Sequence, residues 1–155
     1  MSSDLPGPEA VELREVTAET VRAVCDLRVG PGQERFVAPN AVSIAEAHFS
    51  DKAWFRAIYA GDTPVGFIMS YEDADTPEYF MWRLMIDHRC QGRGYGRRAV
   101  ELLVERVRTL PGATRLLTSY VPGPGGPAGL YHSLGFVDTG EVDGGEHVTA
   151  LELWG

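Results

Sequence analysis

Apolar and polar residues alternate along "VELREV", residues 11–16, the two-residue period of a strand with one face on a core. The period then lengthens. Thr17 is a candidate helix cap, and Val21, Val24, Cys25 and Leu27 recur at helical spacing until "VGPGQ" breaks the run. A second helix is expected in "APNAVSIAEAHFSD", where Ser43 with Glu46 three residues on has the form of a capping box. "WFRAIYA" and "PVGFIMSYED" return to strand patterning across the short polar turn "GDT", as a hairpin does. After the loop "DADTP" comes "EYFMWRLMID", a nearly unbroken aromatic and apolar run that predicts a central strand buried on both faces.

Further on, "RRAVELLVERVRTL" carries Ala99, Leu102, Leu103, Val107 and Leu110 on one stripe, an amphipathic helix that stops at Pro111 and Gly112. "TRLLTSYV" reads as another strand, and "PGPGGPAGLYHSLG" as a Gly/Pro loop with one short helix ending at Gly135. "FVDTGEV" and "EHVTALELW" form an antiparallel pair across "DGG". The order β-α-α-β-β-β-α-β-α-β-β is that of an α/β (α+β) protein built on a mixed sheet, not of strict βαβ alternation. Residues 1–9, rich in Ser, Asp, Pro and Gly, are expected to form a flexible tail, with 10–155 as a single domain.

Composition narrows the chemistry. A chain of 155 residues with 44% hydrophobic content suits one compact domain with a core of its own. Fourteen Lys and Arg against 22 Asp and Glu leave a net charge of −8, which argues against nucleic acid as the main partner, because phosphate binding draws on a basic face. An acidic cleft would instead concentrate cationic amines, although an acidic surface that only aids solubility explains the same balance. Cys25 and Cys90 form no CxxC pair, and His48, His88, His132 and His147 fall at no metal-ligand spacing, so no metal is expected and both thiols read as reduced core residues. The N-terminus lacks a basic start and apolar run, and no apolar stretch is long enough to cross a bilayer. A cytoplasmic protein without membrane partners is expected.

The exception to the acidic balance is "RCQGRGYGRR", residues 89–98. Glycines between a strand and a helix let backbone N–H groups close on an anion, where the helix dipole favours negative charge. A GxGxxG dinucleotide fingerprint fails, since Gly92 and Gly94 are followed at 97 by Arg, and no Gly-Lys-Ser/Thr closes a P-loop. Q-x-x-G-x-G is met by Gln91, Gly94 and Gly96, with Gly92 as an extra. Lying after "RLMID" and before an amphipathic helix, this pattern resembles the GCN5-related N-acetyltransferase (GNAT) superfamily, in which it wraps the pyrophosphate of acetyl-CoA. The resemblance implies the GNAT fold with a mixed, mostly antiparallel central sheet. It implies that Leu84, Met85 and Ile86 present backbone to the pantetheine arm, and that Gln91, Gly92, Arg93, Gly94, Tyr95, Gly96 and Arg97 surround the pyrophosphate, with Arg93 and Arg97 adding charge-assisted hydrogen bonds. "LYHSLGF" resembles a second family block, by which Tyr131 is the residue that protonates the leaving thiolate; a purely packing tyrosine on an amphipathic helix is the alternative. Where the family usually carries Asn seven residues earlier, this chain has Pro124.

For the acceptor, "QERFVAPNAVSIAEA", residues 33–47, resembles the matching segment of bacterial spermine/spermidine (diamine) N-acetyltransferases. With "MWRLMID" and "QGRGYG" the resemblance extends over most of 33–154 and implies a polyamine acceptor. The residues agree in direction. "YEDADTPE" gathers Glu72, Asp73, Asp75 and Glu78, which could hold distal ammonium groups while Phe36, Tyr79 or Trp82 packs the methylenes, although an ordinary solvated acidic loop reads equally well. Glu34, Phe36, Asp75 and Trp82 are the candidate acceptor contacts. An amine of pKa about 10.4 must lose a proton before attack, and Glu78 is the candidate base. Neither cysteine has the His or Asp partners of a nucleophile, so direct transfer in a ternary complex is expected, with Cys90 packing beneath the glycine loop. Arg83, inside the apolar run, should be paired with a carboxylate. Two rival readings stand beside this one: an antibiotic or amino-acid-like amine as acceptor, and a non-catalytic acyl-CoA-binding module suggested by Pro124. Many relatives dimerise, which makes a homodimer an expected assembly.

Overall fold

The computed structural model describes residues 5–154. Along the chain run β1 (Val11–Arg14), α1 (Val21–Cys25), α2 (Asn40–His48), β2 (Ala53–Ala60), β3 (Thr63–Asp73), β4 (Glu78–Ile86), α3 (Tyr95–Arg108), β5 (Arg115–Tyr120), α4 (Ala128–Ser133), β6 (Val137–Asp143) and β7 (Glu146–Glu152). This is the order that the hydrophobic periods predict. The strands form one sheet in the order β1-β2-β3-β4-β5-β7-β6, and every neighbouring pair is antiparallel except β4 and β5.

Both faces of the sheet are covered near its centre. Against one face lies α3, whose buried residues Tyr95, Ala99, Val100, Leu103, Val104 and Val107 recur at helical spacing and meet Ile58, Ile68, Met81 and Leu116 from the strands. Leu102 and Leu110, expected on that stripe, are only partly buried, and Leu110 lies beyond the end of α3. Against the other face, Val24 and Leu27 of the α1 region pack on Ala57, Phe67, Met69 and Met85.

Three local expectations are corrected. The second helix starts at Asn40, with Pro39 at its N-cap, so Ser43 is not a cap. The Ser43 hydroxyl instead accepts a hydrogen bond from Arg83 Nη1 at 2.9 Å, and Glu46 Oε1 accepts from the same nitrogen at 2.9 Å. Ser43 and Glu46, read as a capping box, are thus the partners of a cation on β4. Secondly, β4 is not buried on both faces. Tyr79, Met81 and Met85 are buried, whereas Phe80, Trp82 and Leu84 are half-buried, because they wall a cleft. Thirdly, the N-terminal segment is packed where it is described: Leu5 lies against the core, the Pro6 carbonyl accepts from the Tyr95 hydroxyl, and Pro8–Ala10 form a 3-10 turn. The remainder of the expected tail, residues 1–4, lies outside the described residues.

Candidate active site

The cleft follows from an incomplete strand pairing. β4 and β5 run parallel but pair only at Phe80 with Leu117 and Met81 with Thr118. Beyond these pairs the strands diverge, and a cleft of about 930 Å³ opens between them. Trp82 is the extra residue of a bulge against β3, where Met69 pairs with Arg83 and Ser70 with Met81. A bulge resets the side-chain alternation. Trp82 therefore packs on the α1–α2 side of the sheet, and its neighbour Arg83 reaches α2 on that same side.

At the α3 end, Leu84, Met85, Ile86, Gln91 and Gly96 line the cleft. The backbone of residues 82–86 has no ladder partner in β5. Gly92 and Gly94 have φ of 80° and 86°, left-handed values that side chains resist, and Gly94 is the N-cap of α3. The first intrahelical bond runs from Arg98 N to the Gly94 carbonyl, which leaves the preceding N–H groups of the first turn without helical acceptors. A glycine-cleared helix N-terminus that borders a cleft through Gln91 and Gly96 fits a phosphate-bearing ligand. Below it, Asp87 is buried and accepts from Arg28 N and Arg89 N, each at 3.0 Å, and from Arg89 Nε at 2.8 Å. Burial alone would raise its carboxyl, but these hydrogen bonds outweigh it and hold the group below the usual carboxylate value.

The other residues of this loop differ in what they present. Tyr95 is buried with its hydroxyl on Pro6, so it offers only backbone. Arg97 Nη2 donates to the Ser133 hydroxyl, while Arg93 is half-buried. Gln91 Nε2 donates to the Ile86 carbonyl and to Gln33 Oε1, each at 3.0 Å. Cys90 is buried beneath the loop, and burial, reinforced by Asp87, pushes its thiol above the ordinary value despite Arg89 and Arg93.

At the opposite end, one face of the sheet collects Glu78, Phe80 and Trp82 from β4, Leu117 and Ser119 from β5, Glu146 and Val148 from β7, and Glu141 and Asp143 from β6. Glu34, Arg35 and Phe36 complete the wall from the α1–α2 connection. Arg35 stacks on the Phe36 ring with Cζ 4.5 Å from its centroid. The pair presses on the Gly/Pro loop, where a Cβ at Gly126 would lie 2.9 Å from Phe36 Cε1 and one at Gly123 would lie 2.9 Å from Arg35 Nη2. At Gly126, glycine is what lets the loop meet the Phe36 ring.

The acidic loop "YEDADTPE" is distributed differently from the sequence expectation. Glu72 accepts two hydrogen bonds from Arg106, at 2.8 and 3.0 Å, and one from Ser70. Asp73 and Asp75 face Lys52 at 3.6 and 3.5 Å. Of these four carboxylates Glu78 alone lines the cleft, so Asp75 is separated from Glu34, Phe36 and Trp82, which do line it. Tyr79 is buried with its hydroxyl on the Pro111 carbonyl. The carboxylates that replace Asp75 in the cleft, Glu141, Asp143 and Glu146, went unread in the sequence. Their signal was present: Glu141 and Asp143 are two apart on one strand, and Glu146 follows across the turn at Gly144 and Gly145, so all three share a face.

Tyr131, on α4, lines the same cleft. It is 4% exposed and is flanked by Tyr120 and Phe136 with ring centroids 6.4 and 5.7 Å away. Burial pushes its hydroxyl well above the ordinary phenol value; Thr118 opposes the rise and the charge of Glu146 adds least to it. The group is therefore a protonated hydrogen-bond donor at neutral pH.

The family model for the Acetyltransferase (GNAT) family matches residues 19–136. The chain belongs to that family. It is an N-acetyltransferase, and members of this family use acetyl-CoA as acetyl donor. Over 154 residues it is 28% identical to the spermine/spermidine N(1)-acetyltransferase of Bacillus subtilis strain 168, across 93% of this chain and 99% of that protein. Among solved structures, the spermidine N-acetyltransferase of Vibrio cholerae in complex with CoA and spermine superposes with a TM-score of 0.71 at 14% identity, covering 92% of this chain and 94% of that one. The ribosomal-protein-S18-alanine N-acetyltransferase of Escherichia coli gives 0.68 at 16% identity, over 92% of this chain and 94% of that one. Two differently named acetyltransferases thus share this fold equally well, and the fold does not choose between acceptors. Among the described residues no helix is long and apolar enough to cross a membrane.

Proposed function

We propose that this acetyltransferase moves the acetyl group of acetyl-CoA directly to a primary amine of a polyamine or similar small cation. The observation that carries the reading is the polarity of the cleft: a glycine-cleared helix N-terminus at one end, and Glu78, Glu141, Asp143 and Glu146 at the other. The first suits a pyrophosphate. The second suits a chain with several ammonium groups, whose methylenes would pack on Phe36, Phe80 and Trp82. The name of the Bacillus relative supports the same acceptor class.

In this reading the Gln91–Arg97 backbone holds the pyrophosphate and the backbone of Leu84–Ile86 aligns the pantetheine arm, which places the thioester beside Tyr131. A carboxylate takes the proton that the ammonium group must lose before its nitrogen attacks the thioester carbonyl. Glu78 and Glu146 both line the cleft, and Glu146 is favoured, since the Ser119 hydroxyl donates to its Oε1 at 2.7 Å and so fixes its position on the cleft face. Tyr131 donates a hydrogen bond to the thiolate as it departs, and keeps its proton. A phenol with a raised pKa is a weak acid, so its contribution is a positioned hydrogen bond that strengthens as negative charge gathers on sulfur. Cys90, kept as a buried thiol, takes no part.

The test is thiol release from acetyl-CoA across polyamines, aminoglycosides and peptides with free N-termini. Preferential turnover of spermidine or spermine supports the proposal. Preference for another amine overturns the acceptor, and acetyl-CoA binding without turnover on any amine overturns the enzymatic role.

A further inference from the structure

Tyr131 sits on a helix that cannot hold itself in place. α4 is six residues long, includes Gly129, has no side-chain cap, and follows the loop "PGPGGP". Isolated helices of that length do not persist in water, so tertiary contacts must fix the position of Tyr131. One such contact joins three elements through a single carboxylate. His132 Nε2 lies 2.9 Å from Asp138 Oδ1, and the Tyr120 hydroxyl donates to Asp138 Oδ2 at 2.9 Å. His132 is the residue after Tyr131 on α4, Asp138 is near the start of β6, and Tyr120 ends β5. The ring of Tyr120, held at its hydroxyl by Asp138, packs on the ring of Tyr131 and edge-on to that of His132, with centroids 6.4 and 5.9 Å away.

The geometry points to Asp138 as a positioning residue for the reaction. Through His132 it fixes the helix that carries Tyr131, and through Tyr120 it fixes the aromatic wall against which Tyr131 rests. Asp138 is itself absent from the cleft wall, so it acts on the hydrogen-bond donor and not on either substrate. Arg97, bonded to Ser133, tethers the same helix to α3. The Asp138 clamp acts beside that tether, at the C-terminal end of α4 from which the chain runs into β6.

The inference rests on Tyr131 being the hydrogen-bond donor to the departing thiolate, and a double-mutant cycle separates the two claims. Asp138→Ala should lower kcat about tenfold, the scale on which small misplacements of a catalytic group act, with the KM for acetyl-CoA changed less than about twofold. In the Tyr131→Phe background the same substitution should have no further effect on kcat, because nothing remains to be positioned. Tyr120→Phe removes one hydroxyl and keeps the ring, so it gives a second, milder reading if Asp138→Ala melts early. Asp138→Glu should restore part of the lost rate. Independent, multiplicative losses in the double variant, or an unchanged kcat in both Asp138→Ala and Tyr120→Phe, overturn the clamp while leaving Tyr131 in its role. A silent Tyr131→Phe overturns both.

Discussion

The Ser119 hydroxyl on β5 donates to Glu146 Oε1 on β7 at 2.7 Å, which holds that carboxylate on the cleft face that Tyr131 also lines. Glu78, at the start of β4, is exposed and has no such anchor among the described residues. If Glu146 takes the proton of the amine, Glu146→Gln should lower kcat by about a hundredfold, a typical size for a general base, and Glu78→Gln by much less. Steady-state kinetics with spermidine at saturating acetyl-CoA measures both. The opposite ranking would return the role to Glu78.

Tyr131→Phe removes one buried hydroxyl and little volume. Turnover should fall by about ten- to a hundredfold, while acetyl-CoA affinity, read by calorimetry, stays within about twofold, since a hydrogen bond made to the departing sulfur acts only in the transition state. Equal losses in both quantities would make Tyr131 a packing residue.

Asp87 ties the glycine loop to the Arg28 backbone, so Asp87→Asn should cost about 1–3 kcal/mol of stability at neutral pH and raise the KM for acetyl-CoA. Its folded carboxyl lies below its unfolded value of about 3.9. The stabilisation is therefore complete at neutral pH, fades as the pH drops below that unfolded value, and is lost once the pH passes the folded one. Thermal melting of both proteins from pH 7 down to about pH 3 should show the gap between them closing with acid. A gap that stays constant would mean that the carboxylate charge contributes nothing.

Cys90→Ser should keep most of the turnover, and neither protein should show a burst phase, because a buried thiol with a raised pKa is a poor nucleophile. Mass spectrometry of wild type mixed with acetyl-CoA alone should find no acetylated cysteine. A burst of acetyl-enzyme that disappears in Cys90→Ser would replace direct transfer with a covalent route.

The element order was legible because turn residues mark both the hairpins, as at Gly61–Asp62 and Gly144–Gly145, and changes of hydrophobic period, as at Pro111–Gly112 and Gly135. The glycine loop was legible because its backbone demand is written in residue type, and Gly92 and Gly94 do take left-handed values. Side chains that answer to distant partners were not. Ser43 and Glu46 have the spacing of a capping box, yet their partner is Arg83, 37 residues beyond Glu46. Phe80, Trp82 and Leu84 are apolar because they wall a cleft, and periodicity cannot tell a wall from a core. The acidic loop at 72–78 drew attention as a run, but Arg106 and Lys52, from other elements, engage most of it. The carboxylates that reach the cleft are scattered over the α1–α2 connection, β4, β6 and β7, and only the tertiary fold brings them together.

The most direct test of the central claim compares kcat/KM for spermidine with that for butylamine, which shares a primary amine and a methylene chain but has no second charge. If the carboxylates of the cleft select a polycation, spermidine should be favoured by at least about a hundredfold, and Glu141→Gln combined with Asp143→Asn should erode that preference through KM. Equal kcat/KM for the two amines, or a preference indifferent to those substitutions, would contradict the account.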